Sequence, residues 1–390
     1  MTCFLPQDAD KTAVAYIEEV DCALPPTPNL KALRKVSYEV EENFETVESN
    51  ETNEGGQREQ IIPVGGDLSG GIGIEFSYKE FDPLMAGALR KGWTDISLVT
   101  DTILSVTSAT VFTRSAGSFI TDGIIQGIHI KTAGFVNAAN NGIHRVVAVT
   151  ATTITVEGGL IVESAPATST LKASFIYNDN VFKSFFFEVW YKTINRFKQH
   201  AGMFMNGLTL NFNLKAIITG VLDLIGTEAT ESGATVDTNA VYSASETNDI
   251  MNSTSNLKTL RINRAAFPNG NYARALSFTV NNGGEGRAAL TKFFNVGTRF
   301  GQFKVDGNLT TYTTDFNPFN DIKNNTPFSL DWKTQDAAGN IYVFDILRAK
   351  YKTVPTPITG PNSDIETAVT WGAEKDPVTG KTMFINRFAA

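Results

Sequence analysis

Residues 72–89, IGIEFSYKEFDPLMAGAL, decide the fold because they predict a strand followed at once by a helix. Large apolar side chains occupy alternate positions, which is the period of a strand with one buried face: Ile72, Ile74, Phe76 and Tyr78. In the helix, Asp82 is a candidate N-cap, Pro83 fits the first turn and Gly92 lies beyond the last turn. Its apolar face, expected to dock on a sheet, consists of Leu84, Met85, Ala88 and Leu89.

The rest of the chain reads as short strands joined by turns. Hydrophobic residues make up 42% of the 390 positions and include 27 phenylalanines, enough to build a large core. Further strands are expected at 36–44, 184–191, 204–214, 216–224, 276–281, 302–313, 328–333, 341–352 and 382–388. We therefore predict an all-β protein, an antiparallel β-sandwich or partial barrel with one short helix.

Composition shifts divide the chain into three parts. Residues 1–35 are expected to form an N-terminal arm, with a short helix at 14–20 and a proline-rich turn at 25–28. Residues 36–99 and 171–390 form the main β-domain. Residues 100–170 form an inserted small β-module whose predicted strands are 101–107, 127–131, 143–150 and 153–157.

Two polar stretches are predicted to be exposed loops. The first, residues 45–66, is too long for a tight hairpin and is expected to be functional. Its charged residues are Glu45, Glu48, Glu51, Glu54, Arg58 and Glu59. The second, residues 226–256, is rich in Thr, Ser, Asn and Glu.

No motif of a catalytic or metal site is present in the sequence. His129, His144 and His200 lack HExxH spacing, and no serine lies in a GxSxG elbow. Residues 65–71, GGDLSGG, resemble a phosphate loop but lack its GK[ST] ending and lead into a strand. Cys3 and Cys22 have no CxxC spacing. We therefore predict no enzymatic activity, no metal and no cofactor.

The charge balance and hydropathy narrow the possible partners. A formal net charge of −8 disfavours a surface that grips phosphates. The longest apolar run, residues 217–225, contains Asp223 and is too short to cross a bilayer, so no membrane span is expected. The first 30 residues lack the pattern of a secretory signal peptide, which predicts synthesis in a cytoplasm.

Several segments, in order, resemble the tail tube proteins of long-tailed, non-contractile phages (siphophages). They are 15–19, 33–40, 66–89, 134–156, 301–309, 336–347 and 371–376. The resemblance spans most of the chain and implies a structural protein of the virion tail, assembled in the host cytoplasm. It further implies homohexameric rings with a continuous inner β-barrel, stacked into a tube through which DNA is ejected without specific binding. The implied partners are the tape measure, tail terminator and distal tail proteins.

Within this scheme the 100–170 module would face outward. We expect the loop at 45–63 to mediate ring stacking, with the N-terminal arm and residues 226–256 as further candidates. Acidic side chains facing the lumen would let DNA slide. Glu75 and Glu188 are candidates only, because a register slip of one residue exchanges the two faces of a strand.

Two other functions are compatible with the sequence. A β-sandwich that binds carbohydrate or a host surface could use the aromatic cluster of residues 185–191, although a sheet packed on both faces, in a core or an interface, would show the same run. A glycosidase-like enzyme would need two acids roughly 5–10 Å apart, a spacing that sequence does not reveal.

Overall fold

The computed structural model describes residues 6–99, 104–166, 169–267, 272–313, 317–356, 358, 360–361 and 364–390. Cys3, residues 101–103 of one predicted strand and residues 167–168 at the end of the predicted module lie outside these ranges. Strands dominate the described residues, so the predicted all-β class is confirmed.

The first half of the chain contains twelve strands among the described residues. They are β1 (Thr12–Glu18), β2 (Asn29–Ala32), β3 (Ser37–Tyr38), β4 (Glu41–Glu48), β5 (Ile61–Glu75), β6 (Thr94–Val99), β7 (Leu104–Ser108), β8 (Val111–Arg114), β9 (His129–Ala133), β10 (Gly142–Val149), β11 (Thr153–Val156) and β12 (Thr170–Tyr177). Helix α1 (Asp82–Ala88) lies between β5 and β6, and short 3-10 turns occur at Ala9–Lys11 and Ala138–Asn140.

The second half adds fifteen strands and one helix among the described residues. The strands are β13 (Ser184–Tyr191), β14 (Arg196–Asn213), β15 (Thr219–Gly226), β16 (Glu228–Ser232), β17 (Val241–Ser243), β18 (Leu257–Ile262), β19 (Ala265–Ala266), β20 (Ala273–Asn281), β21 (Glu285–Arg287), β22 (Gly297–Arg299), β23 (Lys304–Tyr312), β24 (Phe328–Gln335), β25 (Ile341–Thr353), β26 (Glu366–Ala373) and β27 (Met383–Phe388). Helix α2 (Asn317–Lys323) was not predicted, and none of its described residues is buried.

Two layers of strands, which are continuous where β26 pairs with β25, pack face to face around the main core. We call them the central sheet and the second sheet. The central sheet has the antiparallel order β4–β5–β15–β14–β20–β23–β26. The second sheet has the order β18–β24–β25–β27–β12–β6. Phe278 of the central sheet contacts Trp332 of the second, with ring centroids 5.3 Å apart. This is the layered packing of a β-sandwich, and the described strands do not close into a barrel.

Strand β14 joins the central sheet to a third group of strands. Its first half pairs with β13 and β16, and its second half pairs with β15 and β20. The register shifts between Met205 and Gly207, where one residue bulges out of the ladder. A bulge bends a strand, so one eighteen-residue strand can serve two sheet surfaces.

Helix α1 lies inside the core, against β14 and β13. A Cβ atom on Gly87 would lie 2.7 Å from Met205 Cγ and 2.7 Å from Phe185 Cε2. The close approach of helix and sheet therefore requires glycine at this position.

The predicted capping role of Asp82 is wrong. Phe81 is the N-cap, and no side chain bonds the amides of the first turn. The Asp82 carboxylate is buried, accepts a hydrogen bond from the Tyr342 hydroxyl and pairs with Arg387. Burial raises the pKa of the Asp82 carboxyl, and Arg387 opposes that rise. Both partners lie far away in the sequence, so no local pattern indicates them.

The helix predicted at residues 14–20 is also wrong. Residues 12–18 form β1, which pairs with β13 on one side and β2 on the other. Val14 and Tyr16 face the main core, while Ala15 belongs to a small separate core. Burial on both faces produces a continuous apolar run, which sequence periodicity does not distinguish from a buried helix.

The segment predicted as an inserted module packs in a second hydrophobic core, which it shares with β6, β12, β25 and β27. This core includes Leu104, Phe112, Phe119, Ile130, Val146 and Ile154. Apolar contacts with Phe175, Leu347 and Phe384 and the pairing of β9 with β12 join the segment to the main sheets. Ion pairs add to this link: Arg145 of β10 bonds Asp345 of β25 at 3.0 Å, and Arg264 bonds Asp345 at 2.7 Å. Arg261 bonds both Asp331 and Glu157, at 2.8 and 3.3 Å. The predicted domain boundaries remain a prediction.

Two histidines are buried in the neutral form. His200 stacks on Tyr38, and its Nδ1 lies 2.6 Å from the Tyr38 hydroxyl oxygen. Burial lowers the pKa of His200 to about 4 and that of His129 to about 3. Both values lie below the pKa of about 6.5 expected in the unfolded chain.

We predict that Gly87→Ala destabilises the fold by about 1–3 kcal/mol, because the added methyl overpacks a rigid core. The matched control is Gly92→Ala, where a Cβ would meet only the Lys183 side chain, at 3.9 Å. Urea unfolding of both variants measures the difference. Equal stability of the two variants would contradict the tight packing of helix on sheet.

We predict that acid destabilises the protein partly through His200. Its depressed folded-state pKa contributes stability that is fully present above pH 6.5 and is lost as the pH falls toward about 4, with a slope of up to about 1.4 kcal/mol per pH unit. His200→Asn removes this titration, so its unfolding free energy should vary less between pH 7 and pH 5 than that of the wild type. Parallel pH profiles would show that His200 does not contribute.

Candidate functional site

A long hairpin projects from the central sheet. It consists of β4 and β5, with Glu45 opposite Gly65 and Glu48 opposite Ile61. The predicted loop at 45–66 is therefore wrong at both ends, and only residues 49–60 form a loop, which we call the hairpin tip. Polar and apolar residues alternate in 41–48, as expected of a strand. The segment is nevertheless rich in glutamate, which is uncommon within strands, and this composition favours the prediction of a loop.

The charged residues predicted for ring stacking are all exposed on this hairpin. Glu45 and Glu48 lie on β4, and the others lie in the tip: Glu51, Glu54, Arg58 and Glu59. Arg58 bonds Glu48 at 3.0 Å across the base of the tip. The Asn53 side chain donates to the Gln57 carbonyl at 2.7 Å and to the Glu59 carboxylate, which shapes the turn.

The negative charge of the protein is concentrated in this hairpin. Residues 39–60 contain eight acidic side chains and one arginine, which accounts for seven of the eight net negative charges. The rest of the chain is nearly neutral. The hairpin is thus the one strongly charged projection among the described residues.

The hairpin also exposes apolar side chains that sequence reasoning missed. They are Phe44, Val47, Ile61, Ile62 and Val64, each more than 40% exposed. Phe44 lies against Phe293, whose side chain is also exposed, with ring centroids 6.1 Å apart. A two-stranded ribbon exposed on both faces is marginally stable alone, so an acidic ribbon with apolar side chains indicates a contact surface.

The central sheet has one apolar and one polar face. Its inner face packs in the core, and every side chain there is at most 2% exposed: Leu68, Ile72, Ile74, Leu208, Leu210, Leu222, Leu224, Leu276, Phe278 and Val280. Its outer face carries Asp67, Ser69, Gly71, Gly73, Glu75, Gly207, Thr209, Asn211, Thr219, Val221, Asp223, Ser277, Thr279 and Asn281. We call this outer face the smooth face.

The register aligns these small side chains into rows across the strands. Glu75 lies opposite Thr219, which lies opposite Asn211. In the next row Thr209 and Thr279 are paired, and their hydroxyls are 2.9 Å apart. Residues 67–75, 207–213, 219–225 and 275–281 contain three acids and no lysine or arginine.

The two predicted lumen acids occupy different environments. Glu75 lies on the smooth face. Glu188 is only 2% exposed, because residues 232–243 cover it. Its carboxylate accepts hydrogen bonds from the Val236 amide at 2.7 Å, the Gln199 amide at 3.0 Å and the Tyr242 hydroxyl. In the described chain Glu188 therefore anchors part of the predicted 226–256 loop, which forms β16 and β17, and faces no solvent.

Asp223 is an acid of the smooth face that sequence reasoning did not select. A Cβ on Gly207 would lie 2.7 Å from its Oδ2, and one on Gly71 would lie 3.6 Å from its Oδ1. The two glycines leave room for the carboxylate to lie on the sheet. Partial burial raises the pKa of Asp223.

Strand β4 forms an open edge of the central sheet. Among the described strands it pairs only with β5, which leaves its other row of amides and carbonyls free for another chain. Because β4 pairs with β5, which carries Asp67 and Ser69 of the smooth face, this open edge borders the smooth face.

Other chemistry is not evident in the described residues. They contain no cluster of three or more His, Cys, Asp or Glu side chains able to hold a metal ion. No helix of the described ranges is long and apolar enough to cross a membrane. Phe185, Phe186 and Phe187 are buried in the core, whereas Trp190 of the same run is 39% exposed. Cys22 is exposed as a free thiol.

Comparison with known proteins agrees with this geometry. The model of a protein family described as phage tail tube protein matches residues 9–373, nearly the whole chain. No curated protein matches the chain. The family match covers the central sheet, the hairpin, the segment predicted as an insert and all strands of the second sheet except β27. The chain therefore belongs to the phage tail tube protein family, whose members are structural components of the phage tail.

Proposed function

We propose that six copies of this chain form a ring, that rings stack into the tail tube, and that the smooth face lines a lumen through which DNA is ejected. The tube would assemble in the host cytoplasm around the tape measure protein, between the distal tail and terminator proteins. The protein would act as structure alone, without catalysis or a cofactor.

The smooth face is the observation that carries this proposal. A surface that conducts DNA must not bind phosphates, and lysine and arginine are the residues that bind them. The smooth face has acids and small polar groups, and residues 67–75, 207–213, 219–225 and 275–281, which form it, contain no lysine or arginine. A fourth acid, Asp306 on the neighbouring strand β23, is paired with Lys352 and so adds little to the repulsion.

Ring closure would use the open edge of β4. Pairing this edge with a neighbouring copy would satisfy its free backbone groups and continue the sheet from subunit to subunit. A closed ring of sheets has no edge left, so lateral growth would stop while axial growth continues.

We predict that the purified full-length protein forms hollow tubes with regular rings when a tail-initiating complex is added. Negative-stain electron microscopy with and without that complex measures this. Persistent monomers in the presence of the complex would contradict the tube proposal and favour a discrete module that binds carbohydrate or a host surface.

We predict that Asp67→Lys combined with Glu75→Lys leaves tube length unchanged but slows genome release at least about tenfold, because lysines would hold the phosphate backbone. Dye-reported DNA release from phage that carries the variant measures this. The control is Asp67→Asn with Glu75→Gln. It removes the two negative charges without adding a cation that could bind phosphate, and phage that carries it should release DNA at close to the wild-type rate. Normal release by the lysine variant would exclude these acids from the lumen.

We predict that Glu48→Lys, Glu51→Lys and Glu54→Lys together shorten the tubes or abolish them, because the hairpin tip would mediate ring stacking. The comparison uses tube length and yield by electron microscopy at equal protein concentration. Tubes of normal length and yield would show that the tip does not stack rings.

A further inference from the structure

A basic recess lies on the outer face of the second sheet, where β6, β12 and β9 meet the loop after β5. It encloses about 530 Å³ and is lined by Lys79, Lys131, Lys172 and Arg387, among others. Arg387 is neutralised by Asp82 and Asp95. None of the three lysines lies within salt-bridge distance of a carboxylate of the described ranges, although the charge of Lys79 acts on Asp82; Lys131 and Lys172 have no such partner among these groups.

The backbone register forces two of these lysines together. Lys172 of β12 lies directly opposite Lys131 of β9. Like charges at opposed positions of two strands destabilise the pair. Lys131 donates to the Ala389 carbonyl at 2.7 Å, a neutral partner that leaves its ammonium charge uncompensated, and Lys79 lies over the Tyr78 ring at 5.8 Å. An anionic occupant would relieve this repulsion.

The recess and the hairpin tip lie at opposite ends of the same strand. The tip precedes β5, and Tyr78 and Lys79 follow it. Fifteen residues of extended chain span about 50 Å. The tip of one molecule therefore does not reach its own recess, but molecules repeated head to tail along the strand direction bring a tip to the recess of the next.

We propose that the acidic hairpin tip of one copy docks into the basic recess of a copy in the adjacent ring. Three carboxylates of the tip, Glu51, Glu54 and Glu59, would face Lys79, Lys131 and Lys172. This inference rests on the proposed tube and names both surfaces of its axial contact. The contact joins two different surfaces of identical chains. Such a head-to-tail contact can repeat from ring to ring without limit, and its direction defines the axis of the tube.

Electrostatic docking at an exposed surface is screened by salt. The Debye length falls from about 10 Å at 0.1 M to about 3 Å at 1 M ionic strength. Tube growth should therefore slow as salt rises, while the apolar side chains of the hairpin base should lose no contact energy.

A charge-swap experiment tests the pairing. Lys79→Glu, Lys131→Glu and Lys172→Glu together should reduce mean tube length at least about tenfold, and addition of Glu51→Lys, Glu54→Lys and Glu59→Lys to the same chain should restore it. The control changes three lysines elsewhere, Lys258→Glu, Lys323→Glu and Lys333→Glu, by the same total charge and should leave tube length unchanged. Circular dichroism melting confirms that each variant is folded.

Each outcome separates this inference from the proposed function. Absence of wild-type tubes would overturn the tube proposal itself. Wild-type tubes together with normal tubes from the recess variant would overturn only the docking proposal. A folded recess variant that fails to assemble and is not rescued by the swapped tip would also overturn it, because the tip would not be the occupant.

Zero-length cross-linking of wild-type tubes gives an independent test. A carbodiimide joins a carboxylate and an amine only when they are in contact. Because the tip and the recess of one molecule lie at opposite ends of β5, amide links between Glu51 or Glu54 and Lys79 or Lys172 must join two copies. Mass spectrometry should find these links in tubes and lose them in monomers. Tubes that lack all such links would contradict the docking.

Discussion

The strict alternation of side chains across β5, β15, β14 and β20 is the constraint on which the rest of the structure depends. Large apolar residues such as Ile72 and Leu210 face the core, and apart from Val221 the outward positions of the smooth face carry small, polar or acidic residues. A register slip of one residue in β5 or β15 would bury a carboxylate and expose a leucine. Core stability and the chemistry of the smooth face are therefore fixed by the same register.

Helix α1, the segment predicted as an insert and the hairpin are held to the central sheet by different types of interaction. Packing of α1 against β14 is apolar and depends on the small size of Gly87. The segment predicted as an insert shares an apolar core with Phe175 and Phe384 and is also held by the ion pairs of Arg145 and Arg264 with Asp345. The hairpin has neither type of support over most of its length, because both of its faces are exposed. Its order in the tail would depend on neighbouring copies, which couples the folding of this ribbon to assembly.

Sequence patterns predicted what depends on local periodicity and missed what depends on distant partners. The β5 strand and helix α1 are read directly from alternation and from the Pro83 position. The environment of Asp82 depends on Tyr342 and Arg387, and that of Glu188 depends on the segment that covers it. Glu75 was selected as a candidate without knowledge of its face, and Asp223 was overlooked, because only the pairing of strands assigns faces.

Helical reconstruction of assembled tubes by cryo-electron microscopy tests the central claim most directly, because it shows which face of the central sheet borders the channel. The account predicts that the side chains of Asp67, Glu75 and Asp223 point into the lumen and that β4 pairs with a strand of the adjacent subunit. A map in which the smooth face lies on the outside of the tube, or is buried between subunits, would contradict it.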